Sequence, residues 1–316
     1  MGRQHAGSSE RVLARFILIR LFYAVLVAFA TSIFVFAMAH KTGDPRTVFL
    51  TTYTSQEQWD AWGERWGLDR PLIVQYGIWL GRAVRGDLGE SLRALRPVKT
   101  IIIERIPATL QLAVSAAIFS VIVGVPLGVL SAVKRGSLLD YAGRTLALFG
   151  QALPPFWLGI MLILLFAVRI DWLPTSGRGG ITHYILPSIT LGWLTASGLL
   201  RIVRSSMLEV LDSEYIKLAR AKGVSNRSVI WKHAFRNALL APLTYAGLLL
   251  AAFITGAVVT ETVFGWPGLG RLAVQSVNNN DFPTMTGIVL LFTVSYLGMN
   301  LLVDIAYAYI DPRIRY

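Results

Sequence analysis

The 316-residue chain contains no cysteine, which excludes disulfides, thiol catalysis and cysteine-ligated zinc and leaves the redox compartment open. Charge is scarce as well. Only 15% of residues are Asp, Glu, Lys or Arg, against about 25% in a soluble globular domain. No GxxxxGK[ST] loop occurs, so there is no phosphate cradle of the kind that nucleotide hydrolysis needs.

What is present is apolar and organised in blocks. Hydrophobic residues make up 54% of the chain, and six nearly uncharged windows lie between flanking charges: Leu21–His40, Ile106–Val133, Thr145–Val168, Gly179–Leu200, Asn237–Thr260 and Phe282–Val303. A helix needs roughly 20 apolar residues to cross a hydrocarbon core about 30 Å thick, and only a helix satisfies its own backbone there. Six transmembrane helices are therefore expected. Ala37-Met38-Ala39 resembles a signal-peptidase site, but the apolar stretch ahead of it is longer than a signal-peptide core, so the first span is expected to be kept.

The net charge of +12 would suggest nucleic acid in a soluble protein. Here the cations flank apolar windows and no recognition motif accompanies them, so they read as topology and no nucleic-acid partner is expected. Arg3, Arg11, Arg15 and Arg20 precede the first window, Lys134, Arg135 and Arg144 follow the second, and Arg313 and Arg315 end the chain. Both termini are thus expected in the cytoplasm. The 41–105 loop, on the other side, holds ten basic and eight acidic residues and is long enough to cross regardless of charge. Its Trp59, Trp62, Trp66 and Trp79 suggest a packed or interfacial face.

Ionisable side chains are nearly absent from the window centres; Glu261, Asp171 and Asp304 stand at ends. Ion-coupled carriers keep such groups at membrane depth as relays, so that class is a weaker alternative. An intramembrane enzyme would need paired Asp, a His-Glu metal set or a Ser-His pair there, and no catalytic or metal-ligating residue is expected. Gly124 and Gly128 form a GxxxG that lets helix backbones approach. Pro154 and Pro155 mark a kink or a bend beside a pathway, and Gln151, one turn earlier, is a candidate to line it.

The 201–242 segment is the most informative. It carries eight Lys/Arg against three acids. Ser213 is expected to cap a helix from Glu214 to Lys222, and Gly223 to end it with positive φ. Ser225 is expected to cap a second helix with Val229, Ile230, His233, Ala234, Asn237 and Ala238 on one face, before Pro242 breaks or kinks it. A loop serving topology alone needs charge, but neither caps nor an apolar face.

Tyr215-Ile216-Lys217-Leu218-Ala219-Arg220-Ala221-Lys222-Gly223, followed by His233-Ala234-Phe235-Arg236-Asn237-Ala238, resembles the coupling loop of ABC importer permeases, in particular the B-type permease of the oligopeptide, dipeptide and nickel uptake group. Further stretches are similar in order along the chain: Gly67-Leu68-Asp69-Arg70-Pro71, Arg85-Gly86-Asp87-Leu88-Gly89, Pro107-Ala108-Thr109-Leu110, Pro154-Pro155-Phe156-Trp157-Leu158-Gly159, Glu261-Thr262-Val263-Phe264 and Pro267-Gly268-Leu269-Gly270. The family's Glu-Ala-Ala opening reads Lys217, Leu218, Ala219 here, as is common in the peptide branch.

The resemblance implies an all-α membrane protein of the type I ABC importer permease fold, in a bacterial cytoplasmic membrane. Its parts would be a cytoplasmic segment 1–20, a first span 21–40, an external subdomain 41–105, a five-helix transmembrane domain 106–310 with a cytoplasmic coupling loop 206–241, and a cytoplasmic end 311–316. Glu214, Tyr215, Lys217, Ala219, Arg220, Ala221, Lys222 and Gly223 would engage the ATPase; Gln151, Pro154, Pro155 and Glu261 would border the pathway. The implied partners are a second homologous permease in a heterodimer, two ATP-binding subunits that hold ATP and Mg, and an external solute-binding protein. This chain would bind no cofactor. The implied cargo is a di- or oligopeptide, with nickel or another small solute as the alternative.

Overall fold

The computed structural model describes residues 3–41 and 69–310, with a few positions between 55 and 64. The described residues are almost entirely helical, and no strand occurs among them beyond an isolated antiparallel bridge between Glu90 and Pro97. The helices are α1 (Arg3–Lys41), α2 (Leu72–Val84), α3 (Val98–Val133), α4 (Leu138–Ala152), α5 (Pro155–Leu162, continued by a π-helical turn Ile163–Arg169), α6 (Thr182–Leu211), α7 (Glu214–Ala221), α8 (226–238), α9 (Leu240–Val263), α10 (Leu269–Asn278) and α11 (Phe282–Ile310).

Four of these are long and apolar enough to cross a membrane: α1 over Ile17–Met38, α3, α6, and α11 over Phe282–Leu302. The α4–α5 pair, bent by 108°, makes a fifth if read as one broken span. The window Asn237–Thr260 falls on α9, part of whose side chains lie outside the described residues. Six spans are compatible with this architecture. Of the expected 41–105 subdomain the structure describes 69–105, which holds α2, the Glu90–Pro97 bridge and the first turns of α3, whereas the tryptophans Trp59, Trp62 and Trp66 lie outside the described residues.

The window Thr145–Val168 is not one continuous helix. α4 ends at Ala152; Leu153 and Pro154 are extended, with ψ of 124° and 132°, and Pro155 opens α5 at its first position. A proline has no N–H to give the preceding turn and pushes the residue before it out of the α region. Two in succession therefore break the helix where one would kink it.

The chain forms two compact units. Unit one comprises Met1–Pro107 and Arg271–Tyr316. In it α1 packs along α11, and α2 packs on α1. The turn before α3 is fastened to the start of α11 by Asp281. Its buried carboxylate accepts from Ser91 Oγ at 2.5 Å, the Leu92 N–H at 3.1 Å and Thr284 Oγ1 at 2.8 Å. Leu92 and Phe282 close an apolar contact beside it.

Unit two comprises Ala108–Gly270, and α6 is its axis, packed against α4, α5 and α9. The GxxxG of α3 meets α6 backbone to backbone. A Cβ at Gly124 would stand 2.6 Å from the Ala196 carbonyl oxygen, and one at Gly128 would stand 2.8 Å from that of Leu200. Polar groups along this seam pair internally, as apolar surroundings require: Ser120 donates to the Gly192 carbonyl at 2.8 Å and Ser188 to Ser115 at 2.7 Å.

Candidate functional site

The 201–242 segment folds as two short helices that lean on the ends of longer ones. α7 starts at Glu214, as expected, with Ser213 extended at the N-cap. Ser213 does not cap with its side chain. Its hydroxyl donates back to the Val210 carbonyl at 2.6 Å, because the preceding helix ends only two residues earlier and offers a free acceptor. Ser225 does cap α8, accepting from the Ser228 N–H at 3.4 Å.

α7 ends with Lys222 as its C-cap and Gly223 at φ +75°. The Gly223 N–H donates to Arg220 O at 3.0 Å and the Val224 N–H to Ala219 O at 3.2 Å. This pair of bonds is the Schellman arrangement, which satisfies the last carbonyls and needs a residue that tolerates positive φ.

One face of α7 is driven inward. Ile216 is fully buried and Ala219 nearly so. Ile216 joins a core built by Val129 and Ala132 of α3, Val203 and Met207 of α6, and Val229, Ala234 and Ala238 of α8. The opposite face is open: Tyr215 and Leu218 are half-exposed or more, and Trp231 of α8 is similar. Tyr215 also braces α8, with its hydroxyl 2.5 Å from His233 Nδ1 and the two rings edge-on.

α8 departs from the expected face. Its middle, Val229–Phe235, is π-helical. The wider turn places Val229 and Ala234, five residues apart, together in the core with Ala238, while Asn237 is displaced outward and donates to the His233 carbonyl at 2.8 Å. The expected face assumed 3.6 residues per turn and so mistakenly included Asn237. The helix is interrupted just ahead of Pro242: α8 ends at Ala238, whose carbonyl the proline has no N–H to serve, and α9 opens at Leu240 with Pro242 in its first turn.

Charge on this surface is mostly uncompensated. Lys217 pairs with Glu214 at 2.7 Å and Arg135 reaches Asp212 at 3.5 Å, both exposed. Arg220, Lys222, Arg227, Lys232 and Arg236 are exposed and have no ion-pair partner among the described residues.

Beneath the two helices lies a polar lock that sequence reasoning missed. Arg204 of α6 grips Asp140 of α4 with Nε to Oδ1 at 2.7 Å and Nη2 to Oδ2 at 3.0 Å. Ser131 of α3 donates to the same carboxylate at 2.6 Å and the Gly136 N–H at 3.0 Å. Asp140 is 1% exposed. In the sequence Arg204 is one of the eight Lys/Arg of the 201–242 segment, with no local mark of its partner. The available signal was Ser137 three residues ahead of Asp140, a helix-start pattern.

Of the residues expected to border a pathway, Gln151, Pro154 and Pro155 are exposed at the α4–α5 break, and Gln151 accepts from Arg201 at 3.3 Å. Glu261 is placed otherwise. It is fully enclosed, accepting from Thr109 Oγ1 at 2.7 Å, with Gly268 directly against its carboxylate. Thr109 accepts in turn from the Leu269 N–H at 2.8 Å, and Trp266 donates from its ring to the Ala108 carbonyl at 2.8 Å. The Glu261–Gly270 stretch is thus a turn pinned onto the 108–109 step of α3.

Among the described residues, helices long and apolar enough to cross a membrane, with a bipartite helical element beside the α3 and α6 ends, define the class as a multi-spanning helical membrane protein. The chain belongs to the family of binding-protein-dependent transport system inner membrane components, whose model matches residues 124–316. It is 39% identical over 302 residues to the glutathione transport system permease protein GsiC of Escherichia coli (strain K12), covering 95% of this chain and 99% of that one. It is 38% identical over 316 residues to the oligopeptide transport system permease protein AppB of Bacillus subtilis (strain 168), covering 96% and 100%. A chain of the MetNI methionine ABC transporter, solved in inward-facing conformations, shares the fold at a TM-score of 0.54 and 19% identity, over 67% of this chain and 96% of that one. This chain is therefore a permease subunit of an ABC importer, a multi-pass inner-membrane protein that works with a partner permease, ATPase subunits and a binding protein. ATP and Mg belong to the ATPase subunits.

Proposed function

We propose that this chain forms half of the translocation pathway for di- or oligopeptides. A second, homologous permease forms the other half, and an external solute-binding protein delivers the cargo. Both termini and the 206–241 segment lie in the cytoplasm, where two ATPase subunits grip α7 through Glu214, Tyr215, Lys217, Arg220, Lys222 and the turn at Gly223. Gln151, Pro154 and Pro155 border the path at the α4–α5 break, and Glu261 holds the external turn. The peptide cargo is supported by the printed substrates of the two relatives, one of which, glutathione, is itself a tripeptide.

The observation that carries the coupling role is the two-sidedness of α7. Ile216 welds it to the ends of α3 and α6, while Tyr215 and Leu218 remain open among unpaired cations. A force applied to the open face reaches the spans through a packed core that resists deformation. Nucleotide and loaded binding protein then bias one two-state element from opposite sides.

The test is uptake into vesicles holding the assembled complex. Gly223→Val forces a β-branched residue to φ +75° and costs about 1–2 kcal/mol locally. It is expected to abolish ATP-driven uptake while assembly persists; normal uptake by the assembled variant would sink the coupling assignment. A peptide panel tests the cargo. Uptake of a non-peptide solute with no di-, tri- or oligopeptide transported would overturn that part alone.

A further inference from the structure

We propose that α2 is an interfacial helix seated in the membrane leaflet at the Met38 end of α1, with its outward apolar face against lipid acyl chains. α2 packs against α1 through only one side. Tyr76 lies edge-on to Phe29 and Phe36, Trp79 stacks at a tilt on Phe36, and the Tyr76 hydroxyl meets Ser32 Oγ at 2.8 Å. These contacts fix its depth. Ser32 is six residues, about 9 Å, inside the Met38 end of the apolar stretch Ile17–Met38, and Phe29 is nine residues, about 14 Å, inside it. A helix held there stands beside the hydrocarbon half-thickness of about 15 Å, not beyond it.

The other side of α2 carries nothing that suits water. Ile73 and Val84 are 81% and 80% exposed, Val74 and Ile78 about two-fifths exposed, and Gly77 and Gly81 between them have open space around them. Gln75 and Arg82 form the one polar edge. At 13 residues the helix is too short to span a bilayer, and an apolar segment of that length with one polar edge fits an interfacial position in which Arg82 reaches the head groups. α1, on which α2 packs, also exposes Phe22, Val25 and Phe34 and is itself long and apolar enough to cross the membrane. The Ser32 hydroxyl, besides meeting Tyr76, donates to the Phe29 carbonyl at 2.7 Å. Polar groups satisfied in this inward way are what a water-free site demands.

The absence of native cysteine makes the test direct. Ile73→Cys, Ile78→Cys and Val84→Cys, with Arg82→Cys for the polar edge, each receive a nitroxide. The chain is then assembled with cysteine-free partner subunits in lipid nanodiscs. The expected result is that labels at 73, 78 and 84 collide with molecular oxygen, which partitions into lipid, and are shielded from a water-soluble nickel chelate. The label at 82 shows the reverse. Chelate access at 73 and 78 would overturn the proposal by showing a face open to water. Shielding from both reagents would overturn it equally, because protein of this chain or of a partner would then cover the face.

Discussion

The guanidinium of Arg204 holds the carboxylate of Asp140 in a two-pronged grip, at 2.7 and 3.0 Å, inside the junction of α3, α4 and α6. The pair sits on the same helix ends that receive Ile216, so it stiffens the base on which α7 stands. A buried pair is a weak source of net stability, but removing Arg204 leaves the enclosed Asp140 carboxylate with only Ser131, the Gly136 N–H and Arg144 at 3.6 Å to offset its charge. Arg204→Met is therefore expected to lower the stability of the solubilised chain by about 1.5–3 kcal/mol, the range for lost hydrogen bonds to a charged group. Asp140→Asn combined with Arg204→Met is expected to recover much of that loss. A double-mutant cycle read by thermal unfolding checks both outcomes, and an additive double variant would refute the pairing.

The contact between Tyr215 and His233 gives a milder expectation. Tyr215→Phe keeps the ring contact and removes the hydroxyl, at a cost of about 0.5–1.5 kcal/mol. The loss is confined to the docking of α7 on α8. Amide exchange should therefore quicken across 214–223 and stay unchanged in α6. Uniform acceleration in both places would show that the bond has no local role.

Gly128 tests the helix seam. An added methyl meets the Leu200 carbonyl oxygen and the Val203 Cβ, both at 2.8 Å, and neither can retreat without moving α6. Gly128→Ala is expected to destabilise by about 1–3 kcal/mol through overpacking. Gly298→Ala, where nothing lies within 4 Å, is the control and is expected to be neutral or slightly stabilising. Equal melting temperatures for the two variants would contradict the close approach of α3 and α6.

Much of this architecture was legible in the chain because its signals are local. Gly223 ends α7 because only a residue free of a Cβ takes φ +75° without strain, and that requirement shows as a glycine after a basic turn. The GxxxG of α3 was legible for a similar reason, since a backbone approach leaves a small-residue spacing behind it. The paired prolines announced a kink or a bend, but not a full break of the helix nor its 108° angle, which depends on what α4 and α5 pack against. The π turn in α8 was not legible. Its register follows from Val229 and Ala234 both reaching one core, and period counting assumes an α-helix.

By itself, then, the sequence determined the membrane class, the helical content and the family, because apolar run length and short motifs act within one stretch of chain. Asp140 with Arg204, Glu261 with Thr109, and Asp281 with Ser91 were decided only by the tertiary structure. These partners lie 64, 152 and 190 residues apart. In each pair a carboxylate that looks like an ordinary end-of-span charge is enclosed and satisfied by a distant donor. A buried charge is tolerable only with such partners, and no local pattern records which distant residue supplies them.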